Sequence, residues 1–95
     1  MAMMHNPPHP GRLVKETMEA LNLSARALAK ELGVAPSTVQ RLITGQSDMS
    51  PEMALRLSAV VGSSAQVWMG MQVDYDLWQA QQAVDISRLH RLHAA

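Results

Sequence analysis

The chain has 95 residues, 47% of them hydrophobic, and its eight acidic residues balance eight basic ones. This length suits one compact domain with a small core, and the zero net charge excludes the strongly basic composition of a generic nucleic-acid binder. There is no Cys, which excludes disulfides and thiolate metal sites. No apolar run approaches the length of a membrane span, so we expect a cytoplasmic protein without a membrane partner.

The start of the chain divides into a proline-containing segment and a first helix. Leu, Val, Ala and Met supply the apolar content and Phe is absent, which favours helices over strands. Residues 1–9 are predicted to be a flexible N-terminal segment, because Pro7 and Pro8 disfavour a helix. After Pro10, apolar residues recur with helical spacing until Asn22, which predicts the first helix.

The second and third helices are indicated by residues that typically begin and end helices. Ser24 is a suitable N-cap for a helix that reaches about Leu32, and Gly33 follows at its C-terminal end. Pro36 suits the first turn of a third helix, which extends to Thr44.

Two more helices follow, and the chain ends in a short segment. Ser50 is predicted to cap a fourth helix with Pro51 at its first position. Ser63 or Ser64 begins a fifth and longest helix, which reaches about Gln82. We therefore expect a domain over 10–82. The remaining residues, 83–95, form either a short sixth helix beginning near Asp85 or a tail, and the helix would place Ile86, Leu89 and Leu92 on one face.

The stretch from 23 to 46 predicts two helices that meet at a very short turn. Such a corner needs a small residue where the helices touch and a residue that tolerates positive φ in the turn, and Ala29 and Gly33 meet these needs. Apolar residues close the corner from both sides, namely Leu28, Leu32, Val34, Val39, Leu42 and Ile43. The spacing of Ala29, Gly33, Val39 and Leu42 favours a helix-turn-helix, and an ordinary αα-hairpin in a small bundle is the alternative.

In a helix-turn-helix the second helix of the pair, here the third helix, is the recognition helix. Its outer face carries Ser37, Thr38, Gln40, Arg41 and Thr44. Arg can bind guanine and Gln can bind adenine in the major groove, while Ser and Thr can contact bases or phosphates. Arg26 and Lys30, one turn apart on the second helix, are predicted to bind phosphates. Each residue alone is more often an ordinary surface residue, but their clustering beside the corner favours DNA binding.

Two motifs flank the corner: HPGRLVKETMEALNLS at 9–24 and MSPEMALRLSAVVGSSAQVWMGMQVDYDLWQA at 49–80. Together with ALAKELGV and STVQRLITG, they resemble the Xre/Cro-type helix-turn-helix proteins and, more narrowly, the HigA-type antitoxins. The resemblance implies an all-α, lambda-repressor-like domain of five or six helices with a longer C-terminal helix. It also implies a homodimer that neutralises a RelE/HigB-like mRNA-cleaving toxin and represses its own operon by binding double-stranded operator DNA.

The resemblance also assigns positions of the recognition helix and exposes two departures from the family pattern. The assigned positions are Pro36, Ser37, Thr38, Gln40 and Arg41. Ala25 stands where the wider Xre family often has a phosphate-binding Gln, and Gln46 and Ser47 stand where relatives are commonly basic. We therefore expect few phosphate contacts and a modest salt dependence of DNA binding.

A stripe on the fifth helix is a candidate dimer interface. Its members share helical spacing and are Trp68, Met71, Tyr75 and Trp78. Trp and Tyr are favoured in interaction hot spots, although covering the core of the single chain is an equally good explanation. The sequence leaves both open.

Other classes of site find no support in the sequence. The four histidines (His5, His9, His90 and His93) lack the third and fourth ligands that zinc needs, so they are expected to be exposed and unliganded. No nucleophile–base spacing or phosphate-binding loop is present, so we expect no catalytic residue and no cofactor. The alternative to an antitoxin is a stand-alone Xre-family repressor without a toxin partner, or a helical interaction module.

Overall fold

The computed structural model describes residues 6–92, which form five α-helices and no β-strand. The helices are α1 (Pro10–Leu21), α2 (Ala25–Leu32), α3 (Pro36–Ile43), α4 (Pro51–Val60) and α5 (Ala65–Ala83). The predicted all-α fold with a longer C-terminal helix is therefore confirmed. Within the described residues, no helix is long and apolar enough to cross a membrane.

The helix ends follow local capping chemistry. The hydroxyls of Ser24, Ser50 and Ser64 each accept a hydrogen bond of 3.1 Å from the backbone N–H three residues later. Asn22 (φ 58°) and Gly33 (φ 73°) end α1 and α2 in the left-handed conformation. The serine hydroxyls satisfy backbone N–H groups that a helix cannot pair internally, and the N–H groups of the two left-handed residues bond carbonyls in the last turn. Both features therefore fix where each helix begins or ends.

A single apolar core joins the five helices. Its buried residues are Val14, Met18, Leu28, Ala29, Leu32, Val39, Leu42, Met49, Met53, Ala54, Leu57 and Trp68. The most extensive packing is between α2 and α3 and between α4 and α5, while α1 contacts α3 and α5. The third helix is thus supported from behind by α1 and α2, which leaves its other side open to solvent.

Three consecutive residues fix the start of α1. The Nδ1 atom of His9 accepts a hydrogen bond of 3.0 Å from the Gly11 N–H, and Pro10 occupies the first helical position and is buried. Gly11 lies so close to the Leu42 carbonyl group that a Cβ atom there would overlap it. The expectation that His9 is exposed is wrong: its side chain is only 12% exposed, because it caps the helix and packs against Tyr75.

Trp68 belongs to the protomer core. Its side chain is 2% exposed, and its indole N–H donates a hydrogen bond of 3.2 Å to the Gly62 carbonyl. The prediction that Trp68 lies at a dimer interface is wrong, because so deeply buried a side chain offers no area to a partner. Met71, Tyr75 and Trp78 are half-buried.

Residues 84–92 form no helix, so of the two alternatives for residues 83–95 the sixth helix is absent from the part that the structure describes. Instead, a turn forms in which the Ser87 N–H donates to the Asp85 carboxylate at 2.9 Å. Hydrogen bonds from the Ser87 side chain and backbone lower the pKa of Asp85 below its ordinary value. Ile86, Leu89 and Leu92 are 66%, 72% and 83% exposed, because no core surface lies within their reach. His5 and His93 lie outside the described residues.

Candidate nucleic-acid interface

The corner between α2 and α3 is closed by small and apolar side chains. Ala29 is fully buried, and Val39 and Leu42 on α3 are 1% and 2% exposed. At Gly33 the backbone turns with positive φ, and the next N–H, that of Val34, donates to the Ala29 carbonyl at 3.0 Å. The four residues singled out from the sequence therefore lie at the contact and in the turn, where a helix-turn-helix requires them.

The outer face of α3 is polar and open. Pro36, Ser37, Gln40, Arg41 and Thr44 are exposed, and Thr38 is half-buried. The Thr44 hydroxyl donates to the Gln40 carbonyl at 2.8 Å and lies 3.2 Å from the Arg41 carbonyl. Its donor is therefore used within the chain, so that Gln40 and Arg41, together with the hydroxyls of Ser37 and Thr38, carry the free hydrogen-bonding groups of this face.

Three cations surround this face without an acidic partner. Within residues 6–92, ion pairs join His9 to Asp48, Arg12 to Glu16 and Arg56 to Glu52. Arg26, Lys30 and Arg41 are exposed and take part in none of these pairs. Their charge therefore remains available to an anion such as a phosphate.

The two positions that depart from the family pattern, Ala25 and the pair Gln46–Ser47, have different structural surroundings. Ala25 is half-buried against the core, and Gln46 and Ser47 follow α3 in a tight turn in which both backbone N–H groups donate to the Arg41 carbonyl, at 2.9 and 3.2 Å. Neither position presents a cation, so positive charge beside α3 comes from Arg26, Lys30 and Arg41.

Comparison with known proteins assigns the family. The chain matches the Helix-turn-helix family over residues 14–68. It is 46% identical to YddM, an HTH-type transcriptional regulator of Escherichia coli K12, over 94% of this chain and 95% of that protein. The solved structure of antitoxin GraA in complex with its operator superposes with a TM-score of 0.86 at 34% identity, covering 99% of both chains. Pseudomonas aeruginosa antitoxin HigA, solved with the higBA promoter, gives a TM-score of 0.78 at 37% identity, covering 81% and 85%.

The chain belongs to the HigA-type branch of the Xre helix-turn-helix family. The resemblance inferred from the motifs is thereby confirmed.

In this HigA-type chain, α5 anchors the loop that follows α3, a feature that sequence analysis missed. Gln72 is 4% exposed, and its Oε1 atom accepts a hydrogen bond of 2.7 Å from the Met49 N–H. Its Nε2 atom donates to the Asp76 carboxylate at 2.9 Å. The sequence does contain a signal for this contact, because Gln72 lies four positions after Trp68 and therefore on the same face of α5.

A second anchor lies one turn further along α5. The Tyr75 ring meets the His9 ring edge-on, with centroids 5.0 Å apart. The His9 Nε2 atom lies 3.4 Å from the Asp48 carboxylate, in the same loop as Met49. His9, the first residue of the motif at 9–24, thus joins three elements: the start of α1, the loop after α3 and the middle of α5.

Arg56 on α4 fastens the end of α2 from outside the corner. Its Nη1 atom donates to the Leu32 carbonyl at 2.7 Å, and its Nε atom donates to the Glu52 carboxylate at 3.1 Å. A charged donor on one of the last carbonyls of a helix stabilises that end of the helix. The HigA-type corner is therefore held in place by α4 as well as by its own apolar contacts.

Proposed function

We propose that this HigA-type protein is an antitoxin that acts as a homodimer, binds double-stranded operator DNA through α3 and neutralises a RelE/HigB-like mRNA-cleaving toxin. The observation that carries the DNA-binding part is the exposed face of α3, where Gln40 and Arg41 are free to reach a duplex. Support comes from the GraA and HigA relatives, each of which has been solved with its operator or promoter DNA.

In this proposal α3 enters the major groove and its side chains read base edges. Arg41 donates two hydrogen bonds to guanine O6 and N7, and Gln40 pairs with adenine N6 and N7. Ser37 and Thr38 lie at the N-terminal end of α3, the end that contacts base edges in helix-turn-helix proteins. Arg26 and Lys30 bind phosphates and set the register of the protein on the duplex.

The DNA-binding part is tested with the protein's own upstream region in a fluorescence-anisotropy titration. Replacing Arg41 by Ala removes from each half-site a bidentate base contact worth about 1–3 kcal/mol, so affinity falls about 5- to 150-fold for each half-site. Lys15→Ala is the control, because it removes an exposed cation from α1 and leaves α3 untouched. If Arg41→Ala changes neither affinity nor base preference, Arg41 does not read the operator; if the wild-type protein leaves the upstream region unbound, the DNA-binding proposal fails.

The toxin-binding part is tested by co-expression with a neighbouring frame that encodes a small, basic, RelE-like protein. We expect co-expression to relieve the growth arrest that the neighbour causes. The second candidate function is a stand-alone repressor, which is favoured by the 46% identity to a protein described as a transcriptional regulator. Persistent growth arrest together with intact operator binding would leave only this second function.

A further inference from the structure

A hollow opens between the segment that precedes α1 and the C-terminal end of α3. It has a volume of about 430 Å³ and is lined by residues 6–9, Arg12, residues 43–45 and Tyr75. Among the described residues of this lining, Arg12 carries a permanent positive charge and none carries a carboxylate. We call this feature the Arg12 hollow. An anion that enters it meets a positive charge and no negative one.

The walls of this hollow are held in place by contacts elsewhere in the fold. Pro7 is buried, and the proline ring fixes φ, so the segment before α1 has little conformational freedom. His9 accepts the Gly11 N–H, and its ring meets the Tyr75 ring edge-on with centroids 5.0 Å apart. Gly11 lies directly against the Leu42 carbonyl, which holds the start of α1 beside the end of α3. The shape of the hollow is therefore set before any ligand binds.

The backbone at the end of α3 has no hydrogen-bond donor left for an anion. The N–H groups of residues 44–47 all donate to carbonyl groups within α3, at 2.9 to 3.2 Å. The Thr44 hydroxyl also donates to a carbonyl of α3, at 2.8 Å, and Gln46 and Ser47 bring no cation. A phosphate beside this end of α3 must therefore be bound by a side chain of another element, and Arg12 is the cation that lines the hollow there.

The pairing of Arg12 with Glu16 leaves the guanidinium group available. The Arg12 side chain is 74% exposed, and its Nε atom lies 3.6 Å from the Glu16 carboxylate, which is beyond hydrogen-bonding distance. An exposed ion pair of this kind contributes little to stability and is screened by salt. A guanidinium group can instead donate two parallel hydrogen bonds to a phosphate. The Glu16 contact is therefore too weak to keep Arg12 from a phosphate.

The length of α3 matches the width of the groove that it enters in the proposed function. Its eight residues span about 12 Å, and the major groove of B-DNA is also about 12 Å wide. A helix in that groove therefore has a sugar–phosphate strand near each of its ends. Arg26 and Lys30 belong to α2, the helix that leads into the start of α3, whereas Arg12 lies at its other end.

We propose that the Arg12 hollow binds a phosphate of the DNA strand that passes the C-terminal end of α3. The inference deepens the operator binding of the proposed function and rests on it. Arg12 supplies the positive charge that Gln46 and Ser47 lack, so that the DNA interface extends from α3 to α1. A phosphate contact carries no base information, so Arg12 adds affinity and fixes the orientation of α3 without changing which bases are preferred.

The salt dependence of operator binding tests this contact. Each phosphate that a cation neutralises contributes about 0.9 to the slope of log affinity against log salt concentration. In a homodimer on two half-sites, Arg12→Ala removes two such contacts, so the slope should become shallower by about 1.8. Between about 50 and 200 mM salt, the wild-type protein should therefore lose about 12-fold more affinity than the variant. Lys15→Ala is the matched control and should keep the wild-type slope, because Lys15 is an exposed cation of α1 that does not line the hollow.

Ethylation of single operator phosphates locates the contact. In each half-site, ethylation of one phosphate should weaken binding of the wild-type protein and leave binding of Arg12→Ala unaffected. Both proteins should stay sensitive to ethylation of the phosphates that Arg26 and Lys30 bind. Circular dichroism should show the same fold in both proteins, because the Arg12 side chain lies mainly in solvent.

Three results would overturn the inference. They are an unchanged salt slope in Arg12→Ala, identical ethylation patterns in the two proteins, and an Arg12→Ala variant that binds DNA normally but no longer relieves the growth arrest, which would assign the hollow to the toxin. Failure of the proposed function looks different, since the wild-type protein would then leave its upstream region unbound. Altered base preference in Arg41→Ala together with an unchanged salt slope in Arg12→Ala would reject the Arg12 contact alone.

Discussion

Replacing Gln72 by Met tests whether α5 holds the loop that follows the recognition helix. Met has a similar length and is apolar, so the variant removes the hydrogen bond to the Met49 N–H without opening a large cavity. The bond measures 2.7 Å and its acceptor is 4% exposed, so water has little access to the orphaned donor. An unsatisfied buried N–H costs about 1–3 kcal/mol.

For a domain of this size, 1 kcal/mol corresponds to about 4–8 °C in Tm, so a cost of about 2 kcal/mol lowers Tm by about 8–16 °C. Thermal unfolding followed by circular dichroism, at one fixed protein concentration, measures this shift. Gln79→Met is the matched control on the same helix, because Gln79 is exposed and its replacement should change stability by about 0.5 kcal/mol or less.

Amide hydrogen exchange separates the loop from general destabilisation. In Gln72→Met the Met49 amide should lose more protection than amides in the middle of α2. A Tm within 2 °C of the wild type, with unchanged protection at Met49, would refute the reasoning (2 °C corresponds to about 0.5 kcal/mol or less). In that event Gln72 would be a buried polar residue without a structural role in the loop.

Three further variants each test one local contact of the fold. Gly11→Ala should destabilise the protein by about 1–3 kcal/mol in chemical denaturation, because the added methyl overlaps the Leu42 carbonyl; unchanged stability would mean that α1 and α3 separate freely. Ser50→Ala should cost about 1 kcal/mol by removing the α4 cap, and Ser50→Gly less, so equal losses would argue against capping. Ser87→Ala should raise the pKa of Asp85 toward its ordinary value in an NMR titration, because a hydrogen bond to the carboxylate is lost. An unchanged Asp85 titration would show that the Ser87 hydroxyl does not bond the carboxylate.

Helix positions could be predicted from the sequence because their signals are local. Ser24, Asn22, Gly33 and Ser50 act through hydrogen bonds or φ values within a few residues of themselves, so their roles do not depend on the rest of the fold. The corner was predictable for the same reason. Ala29 and Gly33 are close in sequence to the helices they join, and the apolar spacing on both sides fits one geometry.

The orientation of α5 could not be predicted, because apolar residues occur on more than one of its faces. Periodicity alone could not decide whether Trp68 faced the core or a partner, since both interpretations use the same spacing. Gln72 and His9 were missed because their partners, Met49 and Tyr75, are distant in the chain. The sixth helix, one of the two alternatives for residues 83–95, was suggested by the spacing of apolar residues, but within residues 84–92 there is no surface on which those residues can pack.

The contact between Arg56 and the Leu32 carbonyl means that the corner between α2 and α3 is not a self-sufficient unit. A peptide containing only α2 and α3 would lack this donor, so the Leu32 carbonyl at the end of α2 would have only water as a hydrogen-bond partner. We therefore expect residues 24–45 to fold poorly when transplanted into an unrelated scaffold. Under the proposed function, changes at Gln40 or Arg41 alter operator preference without touching this contact, whereas loss of Arg56 removes the α4 side chain that holds the corner.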